Sequence, residues 1–245
     1  MDIGVFIFDT DYSVDITELA KELEARNYES LFVPEHTHIP TSRQSPFPGG
    51  GDLPRQYSHT LDPFISLGFA AAATERLKVG TGICLLPQRE ALVTAKSVAS
   101  LDLMSKGRFV LGLGGVWNIE EMEDHGVKYN RRFAMMRERV LAMKSLWMDE
   151  EAEYSGDFVK FEKSWAYPKP HQKPHPPILM GGETDYTLKR VVDYCDGWFP
   201  RGRGGFDPME SVNRLKNMAD EVGRDINSLS ISVFGAPPNS EVLDG

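Results

Sequence analysis

Short apolar strands alternate with amphipathic helices along this chain of 245 residues, and that alternation limits the possible folds more than any other feature. Seven strands are predicted, at residues 3–8, 30–36, 77–86, 107–115, 176–180, 197–200 and 229–237. Six helices are predicted between them, at residues 15–27, 61–75, 90–105, 130–150, 184–194 and 207–225. Strands that alternate with helices form parallel βαβ units, so the sequence predicts an α/β fold.

The predicted organisation is one barrel domain over residues 1–245, because α/β barrels of this length are commonly single domains. An eightfold barrel needs one more strand and helix, so we expect the eighth βα unit to be missing from this sequence. The polar loop 37–60, rich in proline and glycine, is longer than ordinary connections and is predicted to be a lid or a disordered segment. Residues 151–176 are predicted to be an inserted hairpin with an extended linker.

The net charge of −9 argues against nucleic acid and anionic membrane surfaces as partners, since neither attracts a strongly acidic protein. No apolar run reaches the roughly 18–20 residues of a membrane span, and the N-terminus lacks the pattern of a signal peptide. The two cysteines, Cys84 and Cys195, are too few for a disulfide framework. We therefore predict a cytoplasmic protein that acts on a small molecule.

Two glycines, Gly181 and Gly182, stand where a predicted strand passes into a helix. Glycine lets backbone amides come close to a ligand, and the N-terminus of a helix attracts an anion such as a phosphate. Glu183 follows, and its side chain has to point away from any phosphate that these amides hold. An ordinary turn between strand and helix is the alternative interpretation.

A second glycine-rich stretch, "GLGGVWNIEEME" at 112–123, is similar to a dinucleotide-binding fingerprint but lacks its third glycine, because Trp117 occupies that position. The acidic run that follows (Glu120, Glu121 and Glu123) would repel a pyrophosphate and instead suits the first turn of a helix. Glycines at the end of a strand can alternatively leave room for a flat ring against the backbone.

His36 follows Glu35 at the carboxyl end of the second predicted strand, the end at which parallel α/β sheets and barrels bind ligands. A histidine there can exchange a proton near neutral pH. His36 and His38 could form half of a metal site, but no third ligand has a helpful spacing, so no metal is predicted. His171 and His175, in a proline-rich connection, are predicted to be solvated.

Five segments in order closely resemble the bacterial luciferase-like family of flavin and deazaflavin oxidoreductases, and in particular its branch that depends on coenzyme F420. They are "TERLKVGTGICLLPQR", "AKSVASLDLMSKGRFVLGLGGVWNIEEME", "RRFAMMRERVLAMKSLW", "PKPHQKPHPPILMGG" and "DYCDGWFP". The resemblance covers residues 3–237. It implies a TIM (β/α)8 barrel with the cofactor at the carboxyl ends of the strands. Family members are often dimers, so a homodimer is expected.

The resemblance also implies roles for residues that contact the cofactor. Gly181, Gly182 and the amides after them, including that of Glu183, would hold the cofactor phosphate. Gly82 and Ile83 match the place where family members often have a cis peptide bond behind the cofactor ring.

By the same resemblance, Gly112, Gly114 and Gly115 would line the edge of the cofactor ring. Glu35 and His36 match a pair formed by an acidic residue and a histidine, in which His36 is the candidate for proton transfer or for hydrogen bonding near the reactive ring position.

The sequence departs from the family pattern in three places. Relatives in this branch often have glycine where Val116 stands. Sugar-phosphate dehydrogenases of the family have a glutamate where this chain has Trp117, so that activity is not predicted. The missing eighth unit would fit a trimmed or disordered tail, or a shortened relative such as the family's nonfluorescent flavoprotein, which has no established catalysis.

The resemblance does not separate F420 from FMN, because both have a tricyclic ring and a phosphate. F420 also has an acidic tail, and four arginines are predicted on the cofactor face: Arg43, Arg55, Arg201 and Arg203. They favour F420 and hydride transfer to or from a small organic substrate, but they would equally suit an anionic substrate. The alternatives are an FMN-dependent monooxygenase that uses reduced flavin and O2, and a non-catalytic flavin-binding relative. The expected pocket walls are aromatic and favour a partly apolar substrate: Phe47, Tyr57 and Trp117.

Overall fold

Four parallel strands form the sheet of the first of two units into which the chain divides, residues 1–176 and 177–245. The structure is a computed structural model that describes residues 2–202 and 206–235. The strands of the first unit are β1 (Gly4–Phe6), β2 (Ser30–Val33), β3 (Lys78–Thr81) and β4 (Phe109–Leu113). They pair in sequence order, β1 with β2, β2 with β3 and β3 with β4.

The strands are shorter than predicted because regular pairing stops at their carboxyl ends. Beyond β3, the amide of Gly82 donates to the carbonyl of Val33 at 2.7 Å, and the amide of Cys84 donates to the carbonyl of Gly112 at 2.7 Å. The chain therefore continues along its neighbours through single hydrogen bonds. Apolar side chains of the strands, such as Leu31 and Leu111, are fully buried, as expected for a parallel sheet covered on both faces.

Five helices belong to the first unit: α1 (Ile16–Ala25), α2 (Pro63–Ala72), α3 (Ala91–Met104), α4 (Ile119–Asp124) and α5 (Arg132–Met148). The carboxylates of Asp15 and Asp62 accept hydrogen bonds from backbone amides in the first turns of α1 and α2, which fixes where these helices begin. The short helix α4 was not among the predicted helices, although its acidic first turn was noted.

Two segments of the first unit were predicted as additions to a barrel. The segment 37–60 contains one 3-10 turn, Arg55–Ser58, and is otherwise irregular. In the segment 151–176, β5 (Ala152–Ser155) and β6 (Lys160–Ser164) form an antiparallel hairpin. The prediction that His175 is solvated is wrong: it is buried, with its ring centroid 5.8 Å from that of Trp147.

The second unit has three parallel strands, β7 (Ile178–Gly181), β8 (Gly197–Phe199) and β9 (Ser230–Ile231), paired in that order. Helices α6 (Asp185–Tyr194) and α7 (Pro208–Glu221) connect them. Arg203 and the end of the chain after residue 235 lie outside the described residues. Across the described part, no helix is long and apolar enough to cross a membrane.

Candidate functional site

His36 lies just beyond β2, and a carboxylate from α4 holds its imidazole. The Nδ1 atom of His36 is 2.7 Å from Oε2 of Glu121, and both side chains are almost fully buried. The other oxygen of Glu121, Oε1, accepts from the amide of Thr37 at 3.0 Å. Because Nδ1 bonds to a carboxylate, it is the ring nitrogen that carries hydrogen, and Nε2 is left to exchange a proton with a ligand.

Glu121 is the candidate site residue that sequence reasoning missed, since it was placed only in an acidic run that suits the first turn of a helix. The side chain of Asn118 caps α4 and accepts from the Glu121 amide at 3.0 Å. Met122, the next residue, is completely buried. Positions 118, 121 and 122 have the i, i+3, i+4 spacing of one helix face. That spacing is the signal that could have placed Glu121 on the buried side of α4.

Glu35, the predicted partner of His36, has other contacts. Its carboxylate accepts from the amide of Leu85 at 2.8 Å and from Nε of Arg89 at 2.6 Å, and Arg89 also bonds to Asp62 at 2.8 Å. Burial by itself would lower the pKa of Arg89, but the charge of Glu35 and the hydrogen bonds to Glu35 and Asp62 act with the nearby Cys84 to raise that pKa. Glu35 thus ties the end of β2 to the turn after β3, and Glu121 is the carboxylate on His36.

The three aromatic side chains expected as pocket walls pack together beside His36. The ring centroid of His36 is 5.4 Å from that of Tyr57 and 5.8 Å from that of Trp117. Phe47 lies 5.1 Å from Tyr57 and 6.1 Å from Trp117. Phe8, beyond β1, packs against Tyr57 at 4.7 Å. Residues of the irregular segment 37–60 therefore build one apolar wall beside the buried histidine.

Val116, immediately before Trp117, has a backbone φ of 59°, in the left-handed region. A β-branched residue rarely adopts this conformation, because its Cβ crowds the backbone there. The side chain is 9% exposed and packs in a cluster with Leu85, Met122 and Val127. The strained backbone gives a physical reason why glycine would suit this position in relatives, and packing keeps valine in it here.

Two of the predicted ring-lining glycines make room for side chains of this chain. A Cβ atom on Gly82 would lie 2.4 Å from the ring of Phe6, and one on Gly115 would lie 2.3 Å from the ring of Phe133. Real Cβ contacts are never this short, so each glycine is needed for the packing of its aromatic neighbour. Contact of either glycine with a cofactor stays a prediction.

The other predicted positions near the strand ends have similar packing roles. A Cβ atom on Gly114 would lie 2.8 Å from a methyl group of Ile83, and the carbonyl of Gly112 accepts from the hydroxyl of Thr81 at 2.6 Å. Within the described residues, the cis peptide bonds are those before Pro168 and Pro174. The expected cis bond between Gly82 and Ile83 is therefore not observed.

In the second unit, the glycine pair forms the turn that leads from β7 into α6. Gly181 ends β7, and Gly182 follows with a φ of 116°, which favours glycine. The Gly182 carbonyl accepts from the indole of Trp198 at 2.7 Å, which fixes the turn. Thr184 caps α6 by accepting from the amide of Thr187. The amides before Thr187 in the first turn have no intrahelical acceptor and can bind an anion.

Two carboxylates flank these amides, and an arginine neutralises each of them. Glu183 accepts from Nε and Nη2 of Arg201 at 3.0 Å and 2.8 Å, and Asp185 pairs with Arg214. Burial by itself would raise the pKa of Glu183, but the hydrogen bonds from Arg201 and its charge together lower that pKa. The carboxylate of Glu183 is thus turned to Arg201, as a phosphate on the neighbouring amides requires.

The remaining candidate residues have structural environments. Cys84 is completely buried, and burial together with the nearby Glu35 raises the pKa of its thiol well above the usual range, which makes it unreactive. Arg55 lies over the ring of Tyr12 at 4.5 Å. In the part of the chain that the structure describes, no group of three or more His, Cys, Asp or Glu side chains could hold a metal ion.

Comparison with known proteins identifies a family that this chain matches. The model of the family described as luciferase-like monooxygenase matches residues 1–238. An uncharacterized protein of Mycobacterium tuberculosis is 42% identical over 229 residues, which cover 92% of this chain and 80% of that protein.

Two solved structures are also similar to this chain. The monooxygenase RslO1 from Streptomyces bottropensis has a TM-score of 0.78 at 23% identity, over 95% of this chain and 70% of its own. An F420-dependent secondary alcohol dehydrogenase, in complex with an F420–acetone adduct, has a TM-score of 0.77 at 22% identity, over 95% of this chain and 68% of its own. These likenesses confirm the predicted TIM-barrel fold class. The family match and the 42% identical relative confirm the resemblance seen in the sequence, and the chain belongs to the luciferase-like monooxygenase family.

Proposed function

We propose that this protein is an oxidoreductase that transfers a hydride between the deazaflavin F420 and a small, partly apolar organic substrate. The observation that carries the proposal is the buried pair of His36 and Glu121 beside the aromatic wall. Oxidation of an alcohol removes a hydride from carbon and a proton from oxygen, and reduction of a carbonyl reverses both transfers. A hydride-transfer enzyme for such substrates therefore needs a proton-exchanging group at the substrate oxygen.

His36 supplies that group in this proposal. Its Nε2 atom has no hydrogen-bond partner within the described residues, so it can accept the proton of a substrate hydroxyl. Glu121 keeps hydrogen on Nδ1 and stabilises the imidazolium that forms when Nε2 takes up the proton. Tyr57 and Trp117 pack against the imidazole and reduce the access of water to it. When bound, F420 supplies the ring that accepts or donates the hydride.

The second unit offers groups that fit the phosphate of this cofactor. The left-handed Gly182 and the free first-turn amides of α6 match an anion, and the neighbouring Glu183 is neutralised by Arg201. Since Glu183 engages Arg201, the preference for F420 no longer depends on that arginine as a partner of the acidic tail. It depends on the pair of His36 and Glu121, because oxidation of an alcohol by hydride transfer also releases a proton that a nearby group has to accept. The monooxygenase among the similar structures keeps an FMN-dependent monooxygenase as the second candidate.

The test begins with the purified protein, mixed separately with F420 and with FMN and freed of excess cofactor. We expect a bound deazaflavin spectrum, and F420 reduction with members of a panel of secondary alcohols. The variant His36→Ala should retain bound F420 and lose turnover. The variant Glu121→Gln should lower kcat by about 100-fold or more, as for loss of general acid–base catalysis.

Glu123→Gln is the matched control, since Glu123 is on the same helix and exposed. It should leave kcat unchanged. Retention of FMN but not F420 would replace this proposal with the flavin monooxygenase. Cofactor binding without turnover on any alcohol, carbonyl compound or O2 would identify a non-catalytic relative.

A further inference from the structure

Arg43, in the segment 37–60, has a buried donor without an acceptor. Its Nη1 atom is inaccessible to solvent and has no hydrogen-bond partner in the described part of the chain. A buried, unpaired N–H of a charged group is unfavourable, so such groups are normally bonded. The residue as a whole remains partly exposed, and its side chain makes no hydrogen bond within the described residues. An anionic ligand can therefore bond to the part of the guanidinium that solvent reaches, beside the buried Nη1.

Glu120, an acid whose pKa is affected by the charge of Arg43, does not fill this role. Glu120 is bonded by the hydroxyl and the backbone of Ser45, and these bonds lower its pKa, while the charge of Arg43 is the smallest of the causes. No ion pair joins Glu120 to Arg43 in the described residues. The carboxylate of Glu120 is therefore already engaged by Ser45, and the side chain of Arg43 has no hydrogen-bonded carboxylate within the described residues.

The backbone at Arg43 is also unusual, with a φ of 51°. Non-glycine residues are uncommon in this left-handed conformation, and strain of this kind concentrates at functional sites. Glycine would relieve the strain but would remove the guanidinium. The strain therefore points to a use for the side chain.

The position of Arg43 identifies which site it serves. Its guanidinium carbon lies 5.9 Å from the ring centroid of Trp117, and Trp117 lies 5.8 Å from His36. Phe47 and Tyr57 complete the wall around Trp117, at 6.1 Å and 6.3 Å. A cation thus stands at one edge of an apolar wall whose other edge is the proton-exchanging histidine.

We infer that Arg43 binds a carboxylate of the substrate, so that the substrate class is an organic acid with an apolar body. The inference rests on the proposed function for the location of the substrate beside His36. The apolar body packs on the aromatic wall, and the carboxylate bonds to the planar fork of the guanidinium. Arg55, in the same segment, lacks these features: it is exposed, and its guanidinium covers Tyr12 outside this wall.

The test compares phenylacetate with phenylacetamide, which has the same shape but no charge. Each is titrated calorimetrically into the purified protein, with and without bound F420. Wild type should bind phenylacetate about tenfold or more tightly than phenylacetamide, as for a charge-assisted hydrogen bond. Arg43→Gln should abolish the preference and Arg43→Lys should retain part of it. Arg55→Gln, the matched control, should retain all of it.

Absence of the preference in wild type overturns the inference, whether or not the variants fold. So does a preference that survives Arg43→Gln or that disappears equally in Arg55→Gln. The acidic tail of F420 is the other source of carboxylates. One result would assign Arg43 to the cofactor instead of the substrate. In that result Arg43→Gln weakens the binding of F420, leaves the binding of an F420 analogue without phosphate and tail unchanged, and leaves the preference for phenylacetate intact. The titration without F420 tests carboxylate binding by Arg43 and does not depend on the proposed function. Failure of the proposed function would instead appear as a lack of F420 binding or of turnover.

Discussion

Val116 provides a sharp test of how much free energy the strained backbone beside Trp117 costs. The perturbation is the step from alanine to glycine, made at position 116 and at position 127 in parallel. Val116 and Val127 are buried in the same cluster, at 9% and 3% exposure, but only Val116 has a left-handed φ. Changing valine to alanine removes the same atoms at both positions, so the final step from alanine to glycine isolates the backbone term.

The magnitude follows from two opposing contributions. At Val127, removing the last methyl group loses about 0.8 kcal/mol of burial. The greater freedom of glycine in the unfolded chain costs a further 0.5–1 kcal/mol, roughly, so Val127→Gly should be less stable than Val127→Ala by about 1.5 kcal/mol. At Val116 glycine also relieves about 1–2 kcal/mol of left-handed strain, which offsets most of that loss. The step should therefore be about 1–2 kcal/mol more favourable at position 116.

Urea unfolding of the four variants, followed by circular dichroism, gives the free energy of each step from the midpoint and slope. If the steps from alanine to glycine at positions 116 and 127 agree within about 0.3 kcal/mol, which is the usual additivity error, the reasoning from backbone strain is wrong.

Three other predictions concern the second unit and a helix of the first. In β8, a Cβ on Gly197 would lie 2.6 Å from the backbone carbonyl oxygen of Ser230, which cannot rotate away, so Gly197→Ala should destabilise by about 2–3 kcal/mol. Gly68→Ala, inside α2 with no atom within 4 Å of the new Cβ, should instead stabilise by about 0.5–1 kcal/mol, and thermal unfolding distinguishes the signs. The folded-state pKa of Glu183 is lowered, so its contribution is present above its ordinary value of 4.5 and is lost as pH falls towards the folded value. The stability difference between wild type and Glu183→Gln should therefore shrink below pH 4.5, and a difference that stays constant in acid would contradict the pairing with Arg201.

The elements of the fold follow from local patterns that the sequence contains. Capping carboxylates such as Asp15, helical spacing and apolar runs predict the alternation of strands and helices, and the position of His36 at the end of a strand follows from it. Contacts between distant positions do not follow in this way. Nothing local links His36 to Glu121, 85 positions later, or distinguishes Glu121 from its acidic neighbours except the helical spacing of a short helix.

The arginines show the same division between local and tertiary information. Charge and position favoured Arg201 as a ligand-binding residue, but the structure pairs it with Glu183. Among the residues that the structure describes, Arg43 has no comparable partner, and only burial and backbone geometry distinguish it from Arg55. Whether an arginine is satisfied depends on tertiary packing, which a count of charges does not contain.

The anchoring of His36 has a consequence for how such a protein can diversify. Its imidazole is fixed by a carboxylate on α4, whereas Phe47 and Tyr57 come from the irregular segment. Mutations in that segment can remodel which molecules fit without displacing the proton-exchanging group. Under the proposed function, new substrates would thus be accessible through changes in one surface connection, while the chemistry at His36 is kept.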